Sequence, residues 1–173
     1  MSDRVSTGSE ILASAIVDGL EFARHGRRLA GRVRLTSLPR LADVLADDGG
    51  EIKCEVLGES DREGNAFLVM RLDGEVGLRC QRCLETLIVP LRVASRLLLV
   101  PSGRQWPDEE LAQDDYDAVE ADKEMALLPM IEEEVLLALP IAPMHDSCET
   151  PAATNDEQAS SPFAALAKLR KGV

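Results

Sequence analysis

Two short segments far apart in this chain carry residues that could bind one metal ion. Cys80 and Cys83 lie three positions apart, and so do His145 and Cys148. Thiolate sulfur and imidazole nitrogen are the usual ligands of tetrahedral zinc. Because four protein ligands leave no position for a reactive water, the pattern predicts one structural zinc rather than a catalytic one. The alternative is a pair of reduced thiol corners that only pack.

The first cysteine pair also fits the spacing of dithiol oxidoreductases. In those proteins the motif begins a helix, whose dipole lowers the thiol pKa. A strand pattern follows Cys83, so the sequence disfavours a redox role. The remaining cysteine, Cys54, alternates with Ile52 and Val56 on an apolar face and is predicted to be a core thiol.

Other catalytic residue sets are missing from the sequence. The only histidines are His25 and His145, and there is no phosphate-binding glycine loop, Ser-His-Asp set or HExxH motif. Glu132, Glu133 and Glu134 are consecutive on a predicted helix and are expected to form a solvated face. We therefore expect no enzymatic activity and no small-molecule substrate.

Period-two hydrophobic alternation dominates the middle of the chain and predicts successive antiparallel strands. Turns are expected at 62–65 and at Asp73-Gly74, with a break at Pro90. The strands are predicted at 51–56, 66–72, 75–79 and 84–100, after a shorter one at 32–35. The fold class is thus α+β: an antiparallel β-meander with a few short helices, in which curling or closure into a barrel-like sheet is left open.

Helical periodicity appears in three places within this domain. Short helices are predicted near 18–25 and from Leu38 to Ala46. A longer one covers 128–139, where Leu127, Ile131, Val135, Ala138 and Leu139 share a face opposite the glutamates.

Composition suggests one domain with short tails. At 173 residues the chain can bury a substantial core. We expect a flexible N-terminus over 1–10, a single domain over 11–150, a disordered linker over 151–161 and a short helix over 162–173.

Charge is distributed unevenly. The net charge is −12; residues 1–100 hold 15 acids and 14 bases, whereas residues 101–173 hold 16 acids and 5 bases. This balance argues against a protein that coats nucleic acid. Residues 24–40 nevertheless contain six arginines and no acid, so a local basic surface is expected. Residues 108–124 carry nine acids and one base and are interpreted either as a solvated loop or edge or as a docking segment for a basic partner.

Targeting and membrane segments are not recognisable. No basic region with a following apolar run marks a signal peptide, and no stretch approaches the roughly 20 apolar residues of a membrane span. The expected location is the cytoplasm, where structural disulfides are rare.

Four segments occur in an order that resembles the bacterial YceD family, the large ribosomal RNA subunit accumulation proteins. They are CQRCL at 80–84, IEEEVLLALP at 131–140, PMHDSC at 143–148 and PFAALAKL at 162–169. The resemblance runs from about residue 18 to residue 171. It implies a non-enzymatic role in synthesis, processing or stability of large-subunit ribosomal RNA.

The resemblance also includes a departure. Many relatives carry further cysteines after the proline corner, but His145 stands where such members have a cysteine, and the later Cys-Pro-x-Cys-Gly segment is missing here. This leaves Cys80, Cys83, His145 and Cys148 as the complete ligand set.

We expect two surfaces that contact partners, one for RNA and one for basic proteins. Contact with large-subunit ribosomal RNA or its precursor particles is assigned to six arginines: Arg24, Arg27, Arg28, Arg32, Arg79 and Arg82. Docking of basic ribosomal proteins is assigned to Asp114, Asp115 and Asp117. The alternative function is a zinc-stabilised protein-binding module whose client is unrelated to ribosomes.

Overall fold

The computed structural model describes residues 12–47, 49–104 and 116–151. Within them lie two complete α-helices and seven β-strands, and residues 12 and 13 are also helical. The helices are α1 (Gly19–Arg24) and α2 (Leu127–Ala138). The strands are β1 (Ile16–Val17), β2 (Arg28–Arg34), β3 (Glu51–Ser60), β4 (Ala66–Arg79), β5 (Thr86–Pro101), β6 (Asp117–Ala121) and β7 (Met125–Ala126).

Five of these strands form one sheet in the order β2-β3-β4-β5-β6. β2 to β5 are a consecutive antiparallel meander, as predicted, whereas β6 pairs parallel to β5. Within the described ranges β2 and β6 do not pair with each other, so the sheet is open. β1 and β7 form a separate two-stranded pair.

One face of the sheet is the core. Alternate residues of β3, including Cys54, are buried because side chains on a strand point to opposite faces. Cys54 is 3% exposed, and burial raises the pKa of its thiol to about 12. The core-thiol interpretation of this residue is therefore confirmed.

Both helices cover this apolar face. α1 contacts β3 and β4, and α2 contacts β5. α1 begins as predicted, because the Asp18 side chain accepts a hydrogen bond from the Glu21 backbone N–H and caps the first turn. α2 buries Leu127, Ile131 and Val135 completely.

Three local predictions between residues 38 and 90 are wrong. The expected helix from Leu38 to Ala46 is replaced by two single 3₁₀ turns, Leu35–Ser37 and Pro39–Leu41. Asp73-Gly74 is not a turn, because β4 continues through it to Arg79. Pro90 does not break β5, which runs without interruption from Thr86 to Pro101.

Two predictions for α2 are also corrected. Ala138 was assigned to the buried face but is exposed. Glu132 was assigned to a solvated face but is 4% exposed, and Glu134 is also buried. The Glu132 carboxylate accepts a hydrogen bond of 2.6 Å from the backbone N–H of Arg40, so it satisfies a donor of the adjacent 3₁₀ turn.

Several expected tail features lie outside the described residues. These are the N-terminus at 1–10, the linker from 152 to 161 and the C-terminal helix at 162–173. The domain boundaries at 11 and 150 therefore stay predictions. Among the described helices, none combines the length and the apolar character that crossing a membrane requires.

Candidate metal centre

The hairpin connection between β4 and β5 forms the first half of the site. The Cys80 backbone N–H donates to the Glu85 carbonyl at 2.9 Å, and the Leu84 N–H donates to the Cys80 carbonyl at 3.0 Å. Leu84 has a φ of 66°, in the left-handed region that a leucine rarely adopts. This tight connection turns both cysteine side chains toward one side.

The second half follows α2. Proline residues 140 and 143 lead the chain from the helix end to His145 and Cys148. The Gln81 backbone N–H donates to the Pro143 carbonyl at 2.8 Å. This main-chain hydrogen bond joins the two halves independently of any metal.

The structure brings all four predicted ligands together. The Cys80 and Cys148 sulfurs are 3.8 Å apart, and the Cys83 sulfur is 3.3 Å from His145 Nδ1. The four ligand atoms all lie within 4.8 Å of one another. Zinc with Zn–S near 2.3 Å and Zn–N near 2.0 Å would give tetrahedral edges of about 3.8 Å between sulfurs and about 3.5 Å between sulfur and nitrogen. The cluster could therefore hold a metal such as zinc.

The two thiols of the hairpin differ in their exposure to solvent. Cys80 is fully buried, whereas Cys83, His145 and Cys148 are half-buried. A hydrogen bond from the Cys83 backbone, with smaller ones from His145 and Arg82, lowers the pKa of Cys80 to about 5. The site thus supplies a thiolate at neutral pH without a metal.

The second hairpin thiol behaves differently. A backbone hydrogen bond with Glu85 lowers the pKa of Cys83, but desolvation and the nearby sulfurs of Cys80 and Cys148 outweigh it, so the net pKa is raised. A metal ion would have to displace a proton from this thiol in order to bind.

Arg82 belongs to this site rather than to a free basic surface. Its Nε donates to the Cys148 sulfur at 3.1 Å, and another guanidinium nitrogen donates to the His145 carbonyl. The guanidinium therefore places a positive charge beside the sulfurs and orients the His145 segment. The sequence offered no signal for this role, since the partners are more than 60 residues away.

The other arginines assigned to RNA contact are spread over the surface. Arg24 pairs with Glu21, Arg28 with Glu55 at 2.5 Å and Arg32 with Glu51 at 3.5 Å. Arg27 and Arg79 are exposed and have no ion-pair partner among the described residues. The six side chains thus do not form one cluster with the metal centre.

The acidic docking residues are only partly described. Asp114 and Asp115 lie outside the described residues. Asp117 is exposed at the start of β6, which forms an edge of the sheet. The described part of the acidic segment is thus largely an edge strand.

A dithiol oxidoreductase would present a different geometry. Its CxxC motif would begin a helix, but here the chain continues from Cys83 into β5 at Thr86. The described site therefore differs from that class of protein in the backbone that follows the motif. The fold and the cluster together define an α+β domain with a closed Cys₃His ligand set.

Comparison with known proteins identifies the family. The profile described as large ribosomal RNA subunit accumulation protein YceD matches residues 68–170, which include most of β4, all of β5 and α2, and all four cluster residues. This chain belongs to the YceD family. A curated relative, the large ribosomal RNA subunit accumulation protein YceD of Haemophilus influenzae, is 26% identical over 167 residues, covering 90% of this chain and 94% of the relative. No solved structure matches.

Proposed function

We propose that this protein is a non-enzymatic accessory factor that supports synthesis, processing or stability of large-subunit ribosomal RNA in the cytoplasm. The observation that carries the proposal is the match to the YceD family together with a similar curated relative over 90% of the chain. The Cys₃His ligand set agrees with a structural rather than a catalytic metal, because four protein ligands leave no position for a reactive water.

The cluster of Cys80, Cys83, His145 and Cys148 binds one structural zinc in this proposal. Its support is the fit of the 3.8 Å and 3.3 Å separations to the edges of a zinc tetrahedron. Zinc would then hold the β4–β5 hairpin against the segment that follows α2. The function of the metal is to fix this corner rather than to activate water.

Elemental analysis tests the metal directly. Protein purified without a histidine tag is expected to contain one zinc per chain, and the Cys80→Ser/Cys83→Ser variant to contain none. A Cys54→Ser variant is the matched control, since Cys54 lies in the core away from the cluster, and it should keep its zinc. Equal metal content in the wild type and the double variant would contradict the zinc assignment.

RNA contact is proposed first for Arg27 and Arg79, which are exposed and unpaired among the described residues. Arg24, Arg28 and Arg32 join exposed ion pairs that each contribute only about 0–1 kcal/mol, so phosphate could replace their partners at little cost. Arg82 is already engaged at the metal centre, and its removal is expected to act on the site before it acts on RNA.

Docking of a basic ribosomal protein or assembly factor is proposed for Asp114, Asp115 and Asp117. The support is the position of Asp117 at the exposed sheet edge and the acidic sequence that precedes it. Replacing all three by lysine should reduce capture of purified ribosomal proteins. Unchanged capture would remove acidic docking from the proposal while leaving the ribosomal role intact.

The ribosomal role has its own test. In cells that lack this protein, we expect a lower ratio of large-subunit to small-subunit ribosomal RNA, restored by the wild-type chain. The protein should also sediment with precursors of the large subunit. A normal ratio and no co-sedimentation would instead favour the alternative, a zinc-stabilised module with a client unrelated to ribosomes.

A further inference from the structure

A groove lies between the 3₁₀ region, the end of β4 and the end of α2, and it combines apolar walls with the polar side chains of Asp43, Arg79 and Gln81; it is called the apolar groove below. It has a volume of about 640 Å³, and its apolar walls come from six residues: Val44, Leu45, Leu78, Leu136, Leu139 and Ile141. Ile141 is fully exposed, and Val44 is 44% exposed. An uncovered apolar surface of this kind usually marks a site where another segment binds.

More apolar side chains are exposed beside the groove. Leu137 is 71% exposed at the end of α2, and Met144 is 54% exposed at the corner that leads to the metal centre. Both are close in sequence to groove residues. The exposed apolar surface is therefore concentrated at this end of the molecule.

We propose that residues 163–169 of this same chain occupy the apolar groove. This segment lies outside the described residues, and its sequence is FAALAKL. Phe163, Leu166 and Ala167 share one face if the segment is helical, as its pattern predicts. The apolar side chains of that face could pack against the uncovered apolar residues of the groove.

The chain has the length to reach the groove. The described part ends at Pro151, eight residues after Pro143, which itself lines the groove. The ten residues 152–161 span up to about 35 Å when extended. Such a tether gives an effective concentration of about a millimolar, so a segment whose free peptide dissociates at about 0.1 mM would occupy the groove about nine-tenths of the time.

Charge sets the direction in which this occupant is expected to lie. Residues 162–173 contain Lys168, Arg170 and Lys171 and no acid, within a chain of net charge −12. Asp43 lies at the groove rim and has no ion-pair partner among the described residues. Arg79 lines another part of the groove, so the basic end of the segment is expected on the Asp43 side.

Methyl NMR of the full-length protein tests the proposal. In Phe163→Asp/Leu166→Asp, the methyl signals of Val44 and Ile141 should shift relative to the wild type, while those of Leu29 on β2 stay unchanged. A matched control, Ala153→Asp/Ala159→Asp, adds the same charge to the linker and should shift none of them. Unchanged Val44 and Ile141 signals in the first variant would overturn the proposal.

A substitution in the groove gives the reciprocal test. Ile141→Asp should speed amide hydrogen exchange in residues 163–169 about tenfold, given the nine-tenths occupancy above. Equal exchange rates in the wild type and the variant would count against docking. If the wild-type protection disappears on dilution and the protein is dimeric, a second copy supplies the segment, and the intramolecular proposal is wrong.

Discussion

At the scale of single residues, the contacts of Arg82 place its charge at the Cys₃His cluster rather than on a free basic surface. From sequence it was grouped with arginines that could touch RNA, but its guanidinium donates to the Cys148 sulfur and the His145 carbonyl. Three thiolates and a neutral imidazole around Zn²⁺ carry a net charge of −1. A guanidinium beside them stabilises that charge and fixes the ligand orientation.

Replacement of Arg82 is therefore expected to weaken zinc binding. Arg82→Ala should lower zinc affinity by about 10- to 100-fold, the usual effect of removing a partner that orients metal ligands. A competition titration with a chromogenic chelator measures this. Arg79→Ala is the control, because Arg79 is exposed and makes no hydrogen bond to the cluster; an equal loss in both variants would indicate only an effect of overall charge.

The two shifted thiols predict how zinc affinity depends on pH. The folded pKa of Cys80 is lowered to about 5, so this ligand is already ionised at pH 7 and loses its charge only as pH falls through 5. The pKa of Cys83 is raised, so Cys83 releases a proton on binding. Affinity should rise about tenfold per pH unit for each thiol still protonated.

Calorimetric titration in two buffers of different ionisation enthalpy measures this proton release. At least one proton per zinc is expected at pH 7. Zinc binding that shows no dependence on the buffer would contradict the assignment of Cys83 as a thiolate ligand.

The meeting of these four side chains was predictable from sequence, but their surroundings were not. Cysteine and histidine are recognised as possible zinc ligands by residue type, and the two pairs have the same spacing. The pair Cys80 and Cys83 could therefore be matched with the pair His145 and Cys148 without a structure. Arg82 and the buried Glu132 could not be assigned, because their roles depend on contacts across 66 and 92 residues, respectively. Local patterns contain no information on such contacts.

At the scale of elements, the long hairpin of β4 and β5 continues through two positions where the local sequence predicts an interruption. Asp73-Gly74 has the composition of a turn, but a Cβ at Gly74 would lie 3.3 Å from the Glu51 carbonyl oxygen. The glycine thus permits close approach of β3 rather than reversal of the chain. Pro90 pairs opposite Glu75 in a part of β5 that has no described neighbour on its other side, where a missing N–H is tolerated.

The contact between α1 and β3 predicts one severe substitution. A Cβ at Gly58 would lie 2.7 Å from Ala23 Cα and closer still to the Phe22 carbonyl oxygen. Since both are backbone atoms, Gly58→Ala should destabilise the fold by about 1–3 kcal/mol or more. Denaturant unfolding tests this, with Ser60→Ala at the exposed end of β3 expected to stay within about 0.5 kcal/mol of the wild type.

At the scale of the whole molecule, a metal bound at the Cys₃His cluster would stabilise the fold separately from the apolar core. The hydrophobic core runs through β3, β4, β5 and α2 and includes none of the four cluster residues. A bound zinc would instead close a loop between Cys80 and Cys148, which are 68 positions apart. Crosslinking a loop of that size stabilises a fold by up to about 4 kcal/mol.

Removal of zinc should therefore lower the melting temperature without abolishing the fold. A loss of up to about 4 kcal/mol corresponds to a decrease of roughly 10 °C for a protein of this size. Circular dichroism during treatment with a chelator should show the β-sheet signal retained at 25 °C. Complete unfolding on chelation would mean that the core depends on the metal.

The parallel pairing of β6 has a consequence for the acidic segment. Leu97 pairs with Asp117 and Pro101 with Ala121, so the chain leaves β5 and re-enters the sheet only about 14 Å away. Fifteen residues, 102–116, join these two points, and their contour length is about 50 Å. The connection is thus much longer than the distance that it spans. We therefore expect that several of its residues could be deleted while both strands keep their register.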